Sequence, residues 1–285
     1  DVERDCDIAE EVARYVGYNK MPSTIMTGVA SARPTERQSF REKMLNTLVG
    51  YGLYEVETFS FFSRKAFDAI NLPENDPLRN AVVISNPLGE DTSIMRTTAL
   101  PSVMDVVARN YNARATECAV FEDATVYLPH GGPDELPDEV ESVVLACYGQ
   151  DYDYLALKGV VEKWLETAGV EKVHYVRNAA GTTYHPGRCA DIYVGDQKLG
   201  VIGELHPTVL ANYGVKPRVV AAELNMDVLF ENRGGTAMFR PLPKHPATTR
   251  DLALVADLSV PAAEIADRIE KAAGKLLESL TLFDV

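Results

Sequence analysis

Two alternating segments joined by a two-residue turn constrain the fold more than any other feature of the sequence. Residues 189–194 and 198–205 are rich in side chains typical of strands, and Gly195-Asp196 between them is a hairpin dipeptide. A hairpin imposes antiparallel pairing, whereas a parallel pair needs a crossover of about a dozen residues or more. Further strands are predicted at 118–128, 140–149, 172–177 and 218–226. The sequence therefore predicts an α+β fold with a largely antiparallel sheet.

Helical periodicity alternates with these strands. Thr35-Glu36-Arg37-Gln38 is a capping-box pattern, and apolar residues then recur at helical spacing as far as Gly50. Further helices are predicted at 7–16, 100–111, 154–168 and 261–273, and further strands at 54–62, 81–84, 251–257 and 279–285. Helices would therefore flank the sheet.

Composition and charge narrow the class of protein. The 285 residues are 46% apolar and 25% charged, which are globular values, and no apolar run is long enough to cross a bilayer. The net charge of −14 makes nucleic acid an unlikely default partner, because it repels phosphates unless basic residues are locally concentrated. Four scattered cysteines predict a reducing, cytoplasmic location. The acidic start without an initiator Met leads us to expect part of a longer protein.

A change of composition at 231–246 predicts a linker. This segment, ENRGGTAMFRPLPKHP, combines a Gly-Gly pair with three prolines and several basic residues. The β-α-β pattern that follows it predicts a second domain, of which only the first part is present.

Common catalytic motifs are absent from the sequence. It has no Gly-rich phosphate-binding loop, no G-x-S-x-G turn and no H-E-x-x-H pair. His185, Cys189 and His206 are zinc-ligand types, but their spacing is not a zinc pattern and structural roles are favoured. His206-Pro207 is typical of a helix entry.

Acidic residues near the N-terminus share a helix face. Asp7, Glu10 and Glu11 stand at i, i+3 and i+4, and Asp1 lies six residues upstream. A divalent cation such as Mg²⁺ or Ca²⁺ would relieve their mutual repulsion. The alternative is that they are solvated residues favoured by the helix dipole, and spacing alone favours that alternative.

Several blocks of sequence together resemble a known family. They are DIAEEVARYVGYNKMP, SNPLGEDTSIMRTTALPSVMDVVARN, AVFEDATVY, YHPGRCADIYVG, GVIGELHPTVL and PLPKHPATTRDLALVAD with LFDV. In these blocks, which span essentially the whole chain, the sequence resembles the C-terminal part of the beta subunits of bacterial phenylalanine–tRNA ligases. The resemblance implies an antiparallel class II aminoacyl-tRNA synthetase-like sheet with flanking helices, plus a partial ferredoxin-like domain. It implies three domains: the end of a metal-binding junction domain at 1–22, a catalytically silent core at 23–235, and the first half of an anticodon-binding domain at 236–285.

The resemblance also implies site residues. It makes Asp1, Asp7, Glu10 and Glu11 ligands of Mg²⁺, at a site shared with the catalytic subunit. It makes the basic residues Lys244, His245 and Arg250 candidates for tRNA contact, with roles in the linker or the fold as the favoured alternative.

No catalytic residue is expected in this chain. Class II enzymes hold the ATP phosphates with arginines, and the corresponding strands here, 119–123 and 221–227, contain none. The complex would therefore use ATP at its alpha subunit, and ATP is not expected to bind this chain. The helix at 35–50 and the strand at 54–60 occupy the place of the family's dimer-forming motif, so the interface is expected there.

The resemblance thus implies support for the ATP-dependent attachment of L-phenylalanine to its tRNA. The chain would scaffold the alpha subunit, in a complex of two alpha and two beta subunits, and would orient tRNA. Two alternatives stay open: a self-sufficient small-molecule ligase of the same fold, and a structural module with another partner.

Overall fold

The structure, a computed structural model, describes residues 2–28, 32–132, 135–235, 238–239, 241 and 245–283. The chain divides into unit 1, Asp1–Gly235, and unit 2, Thr236–Val285. The α-helices of unit 1 are α1 Asp5–Val16, α2 Glu36–Gly50, α3 Lys65–Ala69, α4 Leu100–Asn112, α5 Tyr154–Ala168, α6 Pro207–Asn212 and α7 Met226–Glu231. Its strands are β1 Tyr54–Glu55, β2 Phe61–Phe62, β3 Ile94–Met95, β4 Cys118–Leu128, β5 Asp138–Tyr148, β6 Val173–Arg177, β7 Tyr184–Val194, β8 Gln197–Leu205 and β9 Val220–Asn225.

Local signals position the main helices as predicted. The Thr35 side chain accepts the Gln38 N–H at the start of α2, and the Gln38 side chain accepts the Thr35 N–H. This reciprocal capping box satisfies two N–H groups that the helix cannot satisfy itself. Pro207 occupies the first turn of α6, as predicted, because its missing N–H has no role there.

One sheet organises the described part of unit 1. Its strand order is β1-β4-β5-β9-β8-β7-β6, and every pairing is antiparallel except β1 with β4. The predicted hairpin forms, with β7 and β8 joined at Gly195-Asp196. One face packs against α3, α4 and α6, and the other against α2, α5 and α7. The predicted antiparallel α+β architecture is confirmed.

The predicted strand at 54–62 is wrong. Only its ends are strands, and they belong to different sheets, since β1 pairs with β4 and β2 pairs with β3. The backbone between them bonds elsewhere: the Thr58 N–H donates to the Glu122 carboxylate and the Ser60 carbonyl accepts the Arg96 N–H. Similarly, 81–84 forms only an isolated bridge, between Val83 and Ile94.

Unit 2 contains one α-helix in its described residues, α8 Ala262–Ala273, as predicted from periodicity, and a 3-10 turn at Gly274–Leu276 follows it. The predicted strands at 251–257 and 279–283 are not formed, and residues 284–285 lie outside the described part. A strand needs a hydrogen-bonded neighbour, and the described backbone hydrogen bonds here are local turns and helix bonds. The alternation in sequence therefore marks segments that pair with no other strand in the described part of unit 2.

Candidate functional site

The acidic face predicted near the N-terminus lies on α1. The carboxylate of Asp7 accepts the N–H groups of Glu3 and Arg4, both at 2.9 Å, and these bonds lower the pKa of Asp7. Glu11 pairs with Arg14 at 2.5 Å. In residues 2–28, Asp7 and Glu11 thus have partners from their own segment.

These carboxylates are oxygen donors of the kind that Mg²⁺ takes. However, the described residues contain no group of three or more His, Cys, Asp or Glu side chains placed to hold a metal ion. Asp1, the fourth predicted ligand, lies outside the described residues. The magnesium site stays a prediction.

The predicted RNA-contact residues lie in unit 2. His245 and Arg250 are exposed, and the Arg250 guanidinium donates to the carbonyl of its neighbour Thr249. Lys244 lies outside the described residues. RNA contact also stays a prediction.

The histidines and cysteine considered for zinc have separate positions in the fold. The His206 ring accepts the Thr208 N–H at the start of α6, which is the helix-entry role predicted for it. Cys189 is buried in β7, and burial raises the pKa of its thiol to about 12. Neither belongs to a metal group among the described residues.

A buried ion pair lies on the α4 face of the sheet. Glu122, in the strand where the resemblance led us to look for a phosphate-binding arginine, pairs with Arg96 at 2.8 Å. Their side chains are 2% and 4% exposed. Arg96 also donates to the Thr125 carbonyl, and Glu122 also accepts the Thr58 hydroxyl at 2.7 Å. The carboxylate charge is thus neutralised and hydrogen-bonded within the chain.

A second carboxylate lies in the same row of the sheet. Glu122 on β4 stands opposite Val144 on β5, which stands opposite Glu223 on β9. The two glutamates are therefore two strands apart, about 10 Å at the usual strand spacing. The Thr98 hydroxyl donates to one Glu223 oxygen at 2.5 Å and the Tyr184 hydroxyl to the other at 2.9 Å. Burial raises the pKa of Glu223, while these two bonds oppose the rise.

Sequence reasoning missed this network of Arg96, Thr98, Glu122, Tyr184 and Glu223. A signal was present, because Glu122 and Glu223 each interrupt a strand of small and apolar residues, and a buried carboxylate must have partners. What the network can do chemically is limited. Every member already has a partner in the chain, so the one cation of this network, Arg96, is not free to bind a phosphate.

Exposed apolar side chains mark the surface predicted to be an interface. Val49, Tyr51, Tyr54 and Phe59 are 50%, 40%, 76% and 74% exposed. They follow one another from the end of α2 through β1 and the segment after it. Clusters of exposed apolar residues are typical of protein contact sites.

Comparison with known proteins identifies the sequence family. The model described as phenylalanyl tRNA synthetase beta chain CLM domain matches residues 21–226, and the ferredoxin-fold anticodon binding domain matches residues 243–285. A phenylalanine–tRNA ligase beta subunit from Clostridium tetani is 42% identical over 280 residues, covering 98% of this chain and 35% of that protein. The corresponding subunit from Symbiobacterium thermophilum is 38% identical, covering 100% of this chain and 33% of that protein.

Solved structures show the fold. Two structures of pyrrolysyl-tRNA synthetase from Desulfitobacterium hafniense match with TM-scores of 0.58 and 0.57. They are 16% and 15% identical, and cover 78% and 79% of this chain and 73% and 75% of theirs. At such identity the likeness concerns the fold, not the chemistry.

Proposed function

The chain belongs to the phenylalanyl-tRNA synthetase beta chain family, and on this basis we propose that it is the scaffold and tRNA-orienting part of a phenylalanine–tRNA ligase. It spans about a third of the length of the curated relatives it matches. In the proposed complex an alpha subunit carries the ATP-dependent attachment of L-phenylalanine to tRNA. We place this complex in the cytoplasm. Among the described residues, no helix is long and apolar enough to cross a membrane.

The observation that carries this proposal is that the charged groups buried on the α4 face of the sheet are already paired within the chain. Activating an amino acid with ATP requires cationic groups aimed at the departing pyrophosphate. Here the buried guanidinium of Arg96 is neutralised by Glu122, and the nearby Glu223 adds a second acidic group and no cation. A synthetase-like sheet with this face supports a structural role for unit 1.

The exposed apolar surface around β1 is the proposed contact with the alpha subunit. Tyr54 is 76% exposed although its backbone pairs with β4, so its side chain is available to a partner. Leu155, on α5, is an apolar residue of similar exposure, 71%, that lies outside the segment 49–59 in sequence.

Light scattering of the chain, alone and mixed with the alpha subunit of the same organism, tests the proposal. We expect a stable mixed complex that Tyr54→Lys weakens and Leu155→Lys leaves intact. If both variants bind like the wild type, the interface lies elsewhere. If no complex forms with an alpha subunit known to bind the full-length beta subunit, the scaffold role of this part of the chain is wrong.

A self-sufficient ligase makes the opposite prediction. It would catalyse ATP–pyrophosphate exchange as an isolated chain in the presence of an amino acid. We expect no exchange above background. Exchange that disappears on boiling and co-purifies with the chain would favour the ligase over the scaffold.

Magnesium binding on α1 is a separate part of the proposal. Glu10 and Glu11 share a face with Asp7, and binding through Glu11 would compete with its ion pair to Arg14. Calorimetry with Mg²⁺ should show heat that disappears in Glu10→Ala with Glu11→Ala. Asp5→Ala, which removes an acid outside the predicted ligand set, is the control. Identical heats in all three proteins would contradict the site.

RNA binding by unit 2 is the remaining part. His245 and Arg250 are exposed and Lys244 adds a positive charge in sequence, but the whole chain carries −14. We therefore expect binding of the cognate tRNA weaker than about 1 µM at physiological salt. Filter binding should show a further loss in Arg250→Ala. Submicromolar binding would contradict the expected weakness, and binding indifferent to Arg250 would contradict its assignment as an RNA contact.

A further inference from the structure

The last residues of unit 1 are held by three separate elements. Asn232, Arg233 and Gly234 follow α7 directly, and each bonds to a different part of the sheet or its helices. We propose that these three residues form an exit clamp, which fixes where the chain leaves unit 1 and makes Gly235 the first residue about which the following chain can pivot.

Asn232 ties the clamp to the sheet. Its side-chain amide donates to the Gln197 side chain at 2.6 Å, and Gln197 begins β8 beside the hairpin turn. The same amide donates to the Val228 carbonyl within α7 at 2.8 Å. One side chain thus joins the end of α7 to β8.

Arg233 ties the clamp to the start of α2. One guanidinium nitrogen lies 2.6 Å from the Glu36 carboxylate and another donates to the Phe230 carbonyl at 2.6 Å. The guanidinium carbon lies 3.7 Å from the centre of the Phe230 ring, so the cation also stacks on the aromatic face.

Gly234 ties the clamp to the end of α5. Its N–H donates to the Ala168 carbonyl at 2.9 Å. A Cβ added to Gly234 would lie 2.3 Å from the Gly169 carbonyl oxygen, which is backbone and cannot rotate away. Gly169 has φ +72°, a conformation that favours glycine, so it too has little freedom to adjust.

Gly235 provides the contrast. A Cβ added there would meet nothing within 4 Å, and its backbone does not have a positive φ. The close fit therefore stops at Gly234. A tightly packed residue followed by one with open space around its Cα is the arrangement on which we base the pivot.

The consequence for RNA binding rests on the proposed function. Loosening 232–234 would lengthen the connection between the last fixed residue of unit 1 and unit 2, and a longer connection spreads whatever it carries over a larger volume. A clamp at Gly234 would thus keep the connection to unit 2 short, which favours tRNA binding by the assembled ligase.

Tryptic cleavage after Arg233 in the native chain, relative to its rate in urea, tests the clamp. We expect Gly234→Ala to raise the native rate about tenfold, which corresponds to about 1.4 kcal/mol of local opening free energy. The matched control, Gly235→Ala, should cut at the wild-type rate. A wild-type rate in Gly234→Ala, or equal acceleration in both variants, would overturn the proposal.

A second variant covers the case in which Gly234→Ala fails to fold, as judged by the emission of Trp164. Asn232→Ala keeps both glycines and the cleavage site, and should also accelerate cleavage after Arg233. If Gly234→Ala is unfolded and Asn232→Ala does not accelerate cleavage, the clamp proposal is wrong.

Aminoacylation by the ligase assembled from alpha and full-length beta subunits separates the clamp from the proposed function. If the clamp and the proposed function are both correct, the ligase with the counterpart of Gly234→Ala should have a higher KM for tRNA. Its KM for phenylalanine should be unchanged. Faster cleavage with an unchanged KM for tRNA would keep the clamp and refute its role in RNA placement. Failure of the chain to bind an alpha subunit would refute the proposed function without altering the cleavage result.

Discussion

Removing Arg96 would leave a charge isolated inside unit 1. Its ion pair with Glu122 joins side chains that are 4% and 2% exposed, across 2.8 Å. In Arg96→Met the carboxylate keeps only the N–H and hydroxyl of Thr58 as partners. Breaking a buried pair from one side typically costs about 3–5 kcal/mol, because the remaining charge is uncompensated. Since whole domains are stable by about 5–15 kcal/mol, Arg96→Met should be severely destabilised.

The chain contains its own probe for this measurement. Trp164 is the only tryptophan, is fully buried, and donates from its ring N–H to the Met44 carbonyl at 2.9 Å. Its emission should therefore report the unfolding of unit 1 in urea. At the usual slopes of about 1–3 kcal/mol per M, the midpoint of Arg96→Met should fall by at least about 1 M.

A double variant identifies the cause of the loss. In Arg96→Met with Glu122→Gln the buried charge is gone, and the amide oxygen can still accept the Thr58 hydroxyl. The double variant should therefore be more stable than Arg96→Met alone. A loss below about 1 kcal/mol in the single variant, or a double variant no better than it, would refute the reasoning.

Three further predictions concern single residues. Burial raises the pKa of Glu223, so ionising it as pH rises destabilises the folded wild type. The unfolding free energy of Glu223→Gln relative to wild type, measured by urea titration, should therefore increase between about pH 4 and pH 8. A difference that stays constant with pH would contradict this. Of the four thiols, only the exposed Cys6 should react quickly with a thiol reagent in the native chain, since burial raises the pKa of Cys147 to about 12; rapid labelling of more than one would be unexpected. Thr35→Ala removes the cap of α2 and should cost about 1 kcal/mol, measured by the same urea unfolding, whereas an unchanged midpoint would show that the capping bond is dispensable.

Features set by neighbouring residues could be predicted from the sequence. The start of α2 depends on Thr35 and Gln38, and the β7–β8 hairpin depends on Gly195-Asp196. In both cases the interacting groups are at most a few residues apart, so the pattern contains the whole cause. The helix entry at Pro207 follows for the same reason.

Features set by distant residues could not be predicted from the sequence. The alternation at 54–62 is a genuine strand pattern, but the Thr58 N–H bonds to Glu122, 64 residues away, in place of a neighbouring strand. Likewise 251–257 has a strand's composition without a paired strand in the described part of unit 2. The sequence pattern shows that a segment is suited to a sheet. Whether another strand lies beside it depends on the fold.

The candidate sites divide in the same way. The shared face of Asp7, Glu10 and Glu11 follows from helical spacing, but whether the face holds a cation depends on groups beyond α1. The buried network could be suspected from Glu122 and Glu223 alone. Its partners could not be named, because Thr98 lies 125 residues from Glu223 in sequence.

Under the proposed scaffold role, the network is what would distinguish this sheet from a catalytic one of the same fold. A catalytic face leaves polar groups that a substrate completes, and the surrounding structure bears the cost of holding them ready. In unit 1 that completion is internal: Arg96 completes Glu122, and the hydroxyls of Thr98 and Tyr184 complete Glu223. Each such partner satisfies a polar group that a catalytic face would leave for a substrate. Substitutions that free these groups should therefore weaken folding without creating activity, which is the behaviour expected of a scaffold and not of a dormant enzyme.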